Sequence, residues 1–511
     1  MSKVGDLLNN FLGTDPNDKD SMQTKEVLSY SVAGLGQNLI CQLVASFFLF
    51  FLTDAVGLNP IWLAVMFLCA RLFDAFNDPV MGTIVDRTRS KDGKMRPYLK
   101  IMPIPIAILT ILLFTSFIPA SNETGAFTLA TIIYICWGVC YTIVDVPYWG
   151  LASSMTNDTD KRNTMLTVAR MFCTIGAGIV TVFIPIIQGW VENGIIEKTL
   201  GLDIAKDALT ADQLTQVTDA LASAYQTMYL ITAIIVACVA VPTFWVGYKY
   251  TKERFYSENA QKSSLIHNIK LLGKNKPILL LIAVGVLGCL RMIYMTSGLY
   301  YAKYNLGDSS LFSIMTILVV PGGLVATLIT PYLSRKFGKK NVFLYSHLVG
   351  GLAMIGLYFI GLSSNGTSTV SIIMFYVVLL LMGVPSGFSN ILQYSMIADS
   401  IDYLEDKTGE RAEGICFSMQ TLISKIGMAF VAFTVLIVLG VEGYADADKV
   451  NGSESIKSGI WMMTTLLTGV STLACCIPLY FYNFNEKEQA AAIKRIEARK
   501  AAAAESAEVA E

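Results

Sequence analysis

Residues 61–85 read IWLAVMFLCARLFDAFNDPVMGTIV, and the turn after them reads DRTRSKDGKMRPYLK over 86–100. At 1.5 Å per helical residue, a run of this length crosses a hydrocarbon core of about 30 Å. The turn carries Arg87, Arg89, Lys91, Lys94, Arg96 and Lys100, and a basic cluster beside a span marks a cytoplasmic loop. Working outward with a window of about 19 residues, the same pattern repeats. Spans are predicted near 27–52, 61–85, 98–119, 127–152, 165–190, 225–248, 277–302, 312–333, 342–362, 369–397, 416–440 and 458–482, twelve in all.

Composition agrees. Of 511 residues, 54% are hydrophobic and only 15% charged, against a usual charged share of about 25%. That leaves too little charge to cover a large soluble enzyme and too much apolar content for disorder. The net charge of −1 offers no bulk attraction to nucleic acid, so none is expected as a partner. The lipid bilayer is. The first 25 residues are polar, with Asp15, Asp18, Lys19 and Asp20, and lack the apolar core of a cleavable signal. The cysteines (Cys41, Cys69, Cys136, Cys173, Cys475 and Cys476 among them) lie mostly inside spans without metal-ligand spacing, as small packing residues do.

Basic residues also cluster after span 8 (Arg335, Lys336, Lys339, Lys340) and between spans 6 and 7 (Lys249, Lys252, Arg254, Lys262, Lys270, Lys274, Lys276). Loops 120–126 and 363–368 have no Lys or Arg. Even-numbered spans therefore end in the cytoplasm, with both termini there. The acidic loop 191–224, with Glu192, Glu197, Asp203 and Asp207, is external and suits a short polar helix over the mouth. The chain divides into an N-tail (1–26), a six-helix bundle (27–248), a basic central loop (249–276), a second six-helix bundle (277–482) and a tail (483–511), solvated as a helix or disordered. Gly82-Thr-Ile-Val-Asp86-Arg87 after span 2 has an echo in Pro331-Tyr-Leu-Ser-Arg335-Lys336-Phe-Gly338 after span 8. Two pseudo-symmetric six-span halves are a transporter architecture, with a midplane site. There is no phosphate-binding loop: Gly273-Lys274 is followed by Asn275. His267 and His347, the two histidines, have no sequence partner for a metal or a serine dyad. An ATP pump, a membrane hydrolase and a cofactor enzyme are not expected, and an ion gradient is the simplest energy source.

Ionisable residues inside spans are costly and are functional candidates. Arg71, Asp74 and Asp78 share one face of span 2 with Asn77 beside them. Two carboxylates one turn apart repel in a low dielectric. A bound cation, a proton or Arg71 must relieve them. A structural Arg71–Asp74 pair is one reading, but it leaves Asp78 uncompensated. Tyr141, Asp145 and Trp149 stand at successive fours on span 4, with Thr142 three before Asp145. An aromatic ring beside a carboxylate suits a sugar. The alternative makes Tyr148 and Trp149 interfacial belt aromatics. Span 5 adds Arg170, span 7 Arg291, and span 11 Lys425 with Thr421 one turn earlier. Lys425 needs a carboxylate partner, for which Asp74 or Asp78 is the natural choice. Asp54, Asp399 and Asp402 sit at span ends, where solvent accounts for them.

Arg71-Leu-Phe-Asp74-Ala-Phe-Asn77-Asp78-Pro79-Val-Met-Gly82, running into Asp86-Arg87 and Gly93-Lys94-Met95-Arg96-Pro97, resembles the signature of the glycoside–pentoside–hexuronide:cation symporters of the major facilitator superfamily. Tyr141-Thr142-Ile-Val-Asp145-Val-Pro147-Tyr-Trp149, Met396-Ile-Ala-Asp399-Ser-Ile-Asp402-Tyr403 and Gln420-Thr421-Leu-Ile-Ser-Lys425 resemble its span 4, span 10 and span 11. The likeness extends over about 25–485. It implies an all-α major facilitator fold and cation-coupled uptake of a glycoside, oligosaccharide or hexuronide in a bacterial inner membrane, and a monomer is the default expectation, with no interface signal in the sequence. By position it implies a cation at Asp74 and Asp78 with Asn77 and Thr142 nearby. It implies a sugar at Tyr141, Asp145, Trp149 and Arg170, with Lys425 and Thr421 close to the cation carboxylates. Both span 2 acids and the threonine are kept, as in Na⁺-using members, which favours Na⁺ over H⁺ as the coupling ion.

Two departures stand out. Gly34-Leu-Gly36-Gln37-Asn38 places Asn38 where melibiose-type members have a sugar-binding Asp, and an amide donates as well as accepts. Arg291 stands where they have a small polar residue. Together these shift the cavity towards a sugar acid, since Arg pairs bidentately with carboxylate. The competing reading is that Arg291 neutralises Asp145. The expected mechanism is cation first, then sugar between spans 1, 4, 5 and 11, then rocking of the halves. A Na⁺-dependent lysophospholipid transporter of the same superfamily and a non-transporting receptor are the alternatives. The first would need a lipid-lined cleft, and Asp145, Trp149 and Arg170 suit a polar substrate better.

Overall fold

The computed structural model describes residues 22–88, 90–118, 122–156, 159–200, 211–254, 265–410, 413–444 and 453–508. Among these it is helical, with no strand. The chain divides into two compact units. One comprises Met1–Ala260 with Asp308–Ser313 and Gly443–Gly452, and the other Gln261–Gly307, Ile314–Glu442 and Ser453–Glu511.

In the first unit α1 (Thr24–Phe50) is followed by α2 (Pro60–Arg87), α3 (Arg96–Ile101), α4 (Pro103–Leu113), α5 (Glu123–Met155), α6 (Thr159–Leu200) and α7 (Ala211–Tyr250). The second unit opens with α8 (Leu265–Lys274), α9 (Lys276–Leu287) and α10 (Ile293–Tyr300), with a 3₁₀ turn Cys289–Met292 before α10. It continues with α11 (Leu311–Phe337), α12 (Lys339–Gly361), α13 (Thr369–Thr408) and α14 (Glu413–Val441). It ends with α15 (Glu454–Trp461), α16 (Thr468–Ala474), α17 (Cys476–Phe481) and α18 (Glu486–Glu508). Short polar residues start these helices, as capping requires. Asn59 accepts from the Ile61 amide at 2.9 Å ahead of Pro60, and Asn275 from Ile278 at 3.2 Å.

Each of the twelve predicted spans coincides with helix over most of its length. Among the described residues nine helices are long and apolar enough to cross a membrane, or ten if the pair Lys276–Leu287 and Cys289–Asn305, bent by 48°, is one span. The other two predicted spans are α2, which carries Arg71 and Asp74, and the α3–α4 pair, which breaks at Met102 before Pro103 and ends at Leu113 rather than near 119. Side chains such as Trp62, Leu328 and Val441 are exposed around the helices, as lipid-facing positions are.

The loop predicted over 191–224 is corrected on both sides. α6 runs on to Leu200 and α7 starts at Ala211, so both helices continue past their apolar cores, and the middle of the loop, 201–210, lies outside the described residues. Asp203 and Asp207 lie outside the described residues. The tail from 486 is not solvated over its whole length either. α18 docks on α13, with Arg495 on Asp406 at 2.8 Å, Gln489 on Asp402 at 2.9 Å, and Ala492 and Ile496 buried. Two span-end acids expected in solvent are buried as well. Asp54 accepts from Thr53 Oγ1 at 2.8 Å and from the Tyr444 hydroxyl. Asp399 pairs with Lys339 at 2.6 Å.

Small residues let helices approach. In the first unit α1 packs on α6 and α7, where a Cβ on Gly36 would strike the Thr243 side chain and one on Gly176 the Leu35 carbonyl. The signature's Gly93 has a different reason. Its φ is +107°, open to glycine at little cost, and the turn cups a carboxylate. Glu253 accepts from the amides of Lys94 (2.9 Å), Met95 (2.8 Å) and Arg96 (2.8 Å) at the start of α3, where the helix dipole also favours an anion. The next residue, Arg254, grips Glu26 with two bonds of 2.9 Å. Glu253→Ala strands three amides. It is expected to cost about 2–3 kcal/mol and to lower the melting temperature of the detergent-solubilised protein, with Glu253→Gln costing about half as much. An unchanged melting temperature in both variants would remove the clamp.

Candidate functional site

The polar centre of the first unit is built on α5. Its turns place Tyr141, Asp145 and Trp149 on one face. Asp145 accepts from the Trp149 indole N–H at 3.1 Å and from Gln37 Nε2 on α1. Gln37 Nε2 also points at the Tyr141 hydroxyl, 3.4 Å away. Tyr141 stacks on Trp137, with centroids 5.1 Å apart. Arg170 of α6 lies 4.8 Å over the Trp149 ring, a cation–π contact that turns a positive group towards the carboxylate's neighbourhood. The site thus offers a held carboxylate, two ring faces and an arginine.

Sequence reasoning missed Gln37. It is 1% exposed, and its Oε1 is buried without a hydrogen-bond partner among the described residues. Asn38, the amide expected here, instead donates to the Gly34 carbonyl of its own helix at 3.1 Å. The rotation of α1 decides this. Tyr30 and Tyr148 stack with centroids 4.6 Å apart and each donates its hydroxyl to the other's backbone carbonyl, at 3.1 and 3.2 Å. Tyr148 is fully buried, so it is no belt aromatic. Trp149 is half-buried and held by Asp145.

Asp74 of α2 faces the same helix. Arg71 and Asp74 pair at 3.6 Å, both mostly buried. Asp74 fits against Gly138 of α5, where a Cβ would stand 2.9 Å from its Oδ1. Arg71 reaches Tyr134, one turn earlier on that face, and buried Thr142 lies one turn later. Asn77 Nδ2 is buried and unpartnered among the described residues. The side chain of Asp78 lies outside the described residues. Among the described residues no group of three or more His, Cys, Asp or Glu is placed to hold a metal ion. Gly138→Ala would push on Asp74. If a coupling cation is bound at Asp74, half-saturation for that cation in uptake assays is expected to rise about 3–10-fold (about 1 kcal/mol), and an unchanged cation requirement would separate Asp74 from it.

In the second unit Lys425 of α14 is half-buried and engaged with neighbours. The side chain of Thr421 lies outside the described residues. Arg291 occupies the 3₁₀ turn between α9 and α10. Its Nη1 is buried without a hydrogen-bond partner among the described residues.

A family model described as MFS/sugar transport protein matches residues 29–486. The isoprimeverose transporter of Lactiplantibacillus pentosus is 28% identical over 479 residues, covering 92% of this chain and 91% of its own. The glucuronide carrier protein homolog of Escherichia coli (strain K12) is 26% identical over 480 residues, covering 93% and 96%. Among solved structures the nucleoside transporter NupG aligns with a TM-score of 0.58 at 11% identity, covering 90% of this chain and 100% of that one, which speaks for the fold alone. These are transporters and not enzymes. With its apolar helices, the chain is a multi-pass protein of the plasma membrane. It belongs to the MFS/sugar transport protein family, in the glycoside–pentoside–hexuronide-like group whose signature residues 71–97 resemble.

Proposed function

We propose that the chain carries a sugar or glycoside together with a cation, Na⁺ in preference to H⁺, as a monomer working by alternating access. The observation that carries this reading is the Gln37–Asp145–Trp149 cluster. Asp145 and the unpartnered Gln37 Oε1 are acceptors for donating hydroxyls, and Tyr141 and Trp149 are faces for a ring's C–H groups. Arg170 beside Trp149 completes the polar rim. A single acyl chain would leave these groups unmatched, which disfavours the lysophospholipid alternative.

The cation is assigned to Asp74 and Asp78 with Asn77 and Thr142. Arg71–Tyr134 and Asp74–Gly138 set the register between α2 and α5, and one further turn brings backbone position 78 level with Thr142. Hard cations favour this oxygen set. Lys425 and Thr421 are assigned on the resemblance, Asn38 and Arg291 as the two departures from it at span 1 and span 7, and the basic loops support cytoplasmic termini. The relatives' printed names, isoprimeverose and glucuronide among them, support sugar-type cargo. The test is uptake of labelled glycosides by proteoliposomes with and without an inward Na⁺ gradient. Na⁺-stimulated accumulation of at least one is expected. Uptake indifferent to Na⁺ and H⁺ gradients alike would overturn the coupling.

A further inference from the structure

In the second unit α11, α12 and α13 leave a groove of about 580 Å³ between them. Val342 and Phe388 are buried in its floor, and Phe337, Tyr345, Val349 and Leu381 stand exposed along it. Its lining holds no charged side chain. Asn341 and Ser346, its polar members besides Tyr345, turn their donors to the carbonyls of Phe337 and Phe343, both at 2.9 Å. The depth is fixed where α12 meets α13: a Cβ on Gly350 would stand 3.0 Å from Met382 Sδ and 3.1 Å from Pro385 Cγ. From Asn341 at the α11–α12 turn to Gly350, the helix rises about 14 Å, which is about half of a 30 Å hydrocarbon core. The groove is therefore as long as one leaflet is deep. Apolar burial alone selects no occupant there, because lipid tails are as apolar as the groove.

Charge at the turn does select. Arg335, Lys336, Lys339 and Lys340 cluster at that end. Asp399 and Glu486 are both engaged by Lys339, the first by its ammonium at 2.6 Å and the second by its amide at 2.6 Å. Lys340 donates to a neutral partner, the Tyr480 carbonyl, at 2.7 Å. Lys336 Nζ lies 5.3 Å over the ring of Phe337, a wall of the groove. Among the described residues Arg335, Lys336 and Lys340 make no ion pair. We propose that the groove is a binding site for one anionic phospholipid, with an acyl chain along α12 and the phosphate at Lys336, and with Arg335 and Lys340 adding charge. The lipid is a resident ligand, so the site does not depend on which sugar or ion is carried. Its leaflet is the cytoplasmic one on the loop orientation given above, although binding itself does not need that orientation. A zwitterionic headgroup brings its own cation and gains less from the turn. Each basic group near an anionic lipid is worth about fivefold.

Tyr345→Trp puts an indole in the groove, and its emission above that of wild type reports that place alone. It is read in phosphatidylcholine vesicles carrying rising mole fractions of phosphatidylglycerol or phosphatidylcholine with dibrominated acyl chains, whose bromines quench tryptophan on contact. Half-quenching is expected at about 5–25-fold lower mole fraction of the anionic lipid. Lys336→Gln in the same protein should lose about fivefold of that preference, and Lys336→Arg should keep it. In detergent, phosphatidylglycerol should raise the melting temperature of the full-length protein more than phosphatidylcholine does, and Lys336→Gln should shrink the difference. This second measurement decides the matter if Tyr345→Trp fails to fold. Equal quenching by the two brominated lipids would reduce the groove to ordinary bilayer contact and overturn the site. So would a preference untouched by Lys336→Gln, or stabilisation by inorganic phosphate as strong as by phosphatidylglycerol. Emission quenched by neither lipid would mean that protein, such as a second copy of the chain, covers this face, and would overturn the site as well.

Discussion

Replacing Asp145 by Asn is expected to reduce sugar uptake about 10–100-fold while the protein still folds and inserts. Asp145 accepts from Gln37 and Trp149, two donors already in place. A carboxylate has further lone pairs for the hydroxyls of a bound sugar. Asparagine has nearly the same shape but must turn an N–H₂ towards one of these donors or towards the ligand, and it offers no charge. A hydrogen bond to a charged group is worth about 1.5–3 kcal/mol, and each 1.4 kcal/mol is tenfold, which sets the range. Gln37→Ala should cost less, about tenfold, because it removes the Oε1 acceptor and loosens Asp145 without discharging it. Trp149→Phe keeps a ring under Arg170 but loses the indole donor, so it should cost about 3–10-fold. The order Asp145→Asn, Gln37→Ala, Trp149→Phe is read from uptake rates normalised to membrane-inserted protein. Near-normal uptake by Asp145→Asn would remove this cluster from the sugar site.

Different parts of this architecture leave different traces in the sequence. The charged face of α2 was legible because its spacing is local: Arg71, Asp74 and Asp78 share a face in any helix. The same holds for Tyr141, Asp145 and Trp149. Which of Gln37 and Asn38 enters the site was not legible. Neighbours on a helix point about 100° apart, and the choice belongs to the rotation of α1, set by contacts with residues more than a hundred positions away, Tyr30 with Tyr148 above all. Hydropathy gave the apolar cores of α6 and α7 but not their ends, since polar residues continue a helix without adding to the apolar signal. The docking of α18 through Arg495–Asp406 and Gln489–Asp402 was equally silent, because a charged helix reads the same in water and on a partner. The role of Glu253 as an anion on the α3 amides needed the turn at Gly93 to be seen closed.

Asp78→Asn is expected to abolish Na⁺-driven accumulation while leaving downhill sugar exchange measurable. Asp74 already shares its charge with Arg71 at 3.6 Å, so much of its compensation is internal to α2. Removing Asp74 would strand a mostly buried arginine and endanger folding. The second acid of the face has no such partner in the sequence of α2, and a carboxylate held in low dielectric is the group whose charge a cation relieves. The size of the effect follows from the driving force. A tenfold Na⁺ gradient supplies about 1.4 kcal/mol and a potential of 100 mV about 2.3 kcal/mol per charge. One Na⁺ per uncharged sugar can therefore sustain accumulation up to about 500-fold, and a carrier that has lost the ion should level off near one. Coupling is reciprocal, so sugar should also cease to raise Na⁺ affinity in the variant, which isothermal titration with and without sugar can read. Loss of accumulation with sugar exchange retained would place the coupling ion at α2. Undiminished Na⁺-driven accumulation by Asp78→Asn would move the ion elsewhere and leave Asp74 and Arg71 as a structural pair.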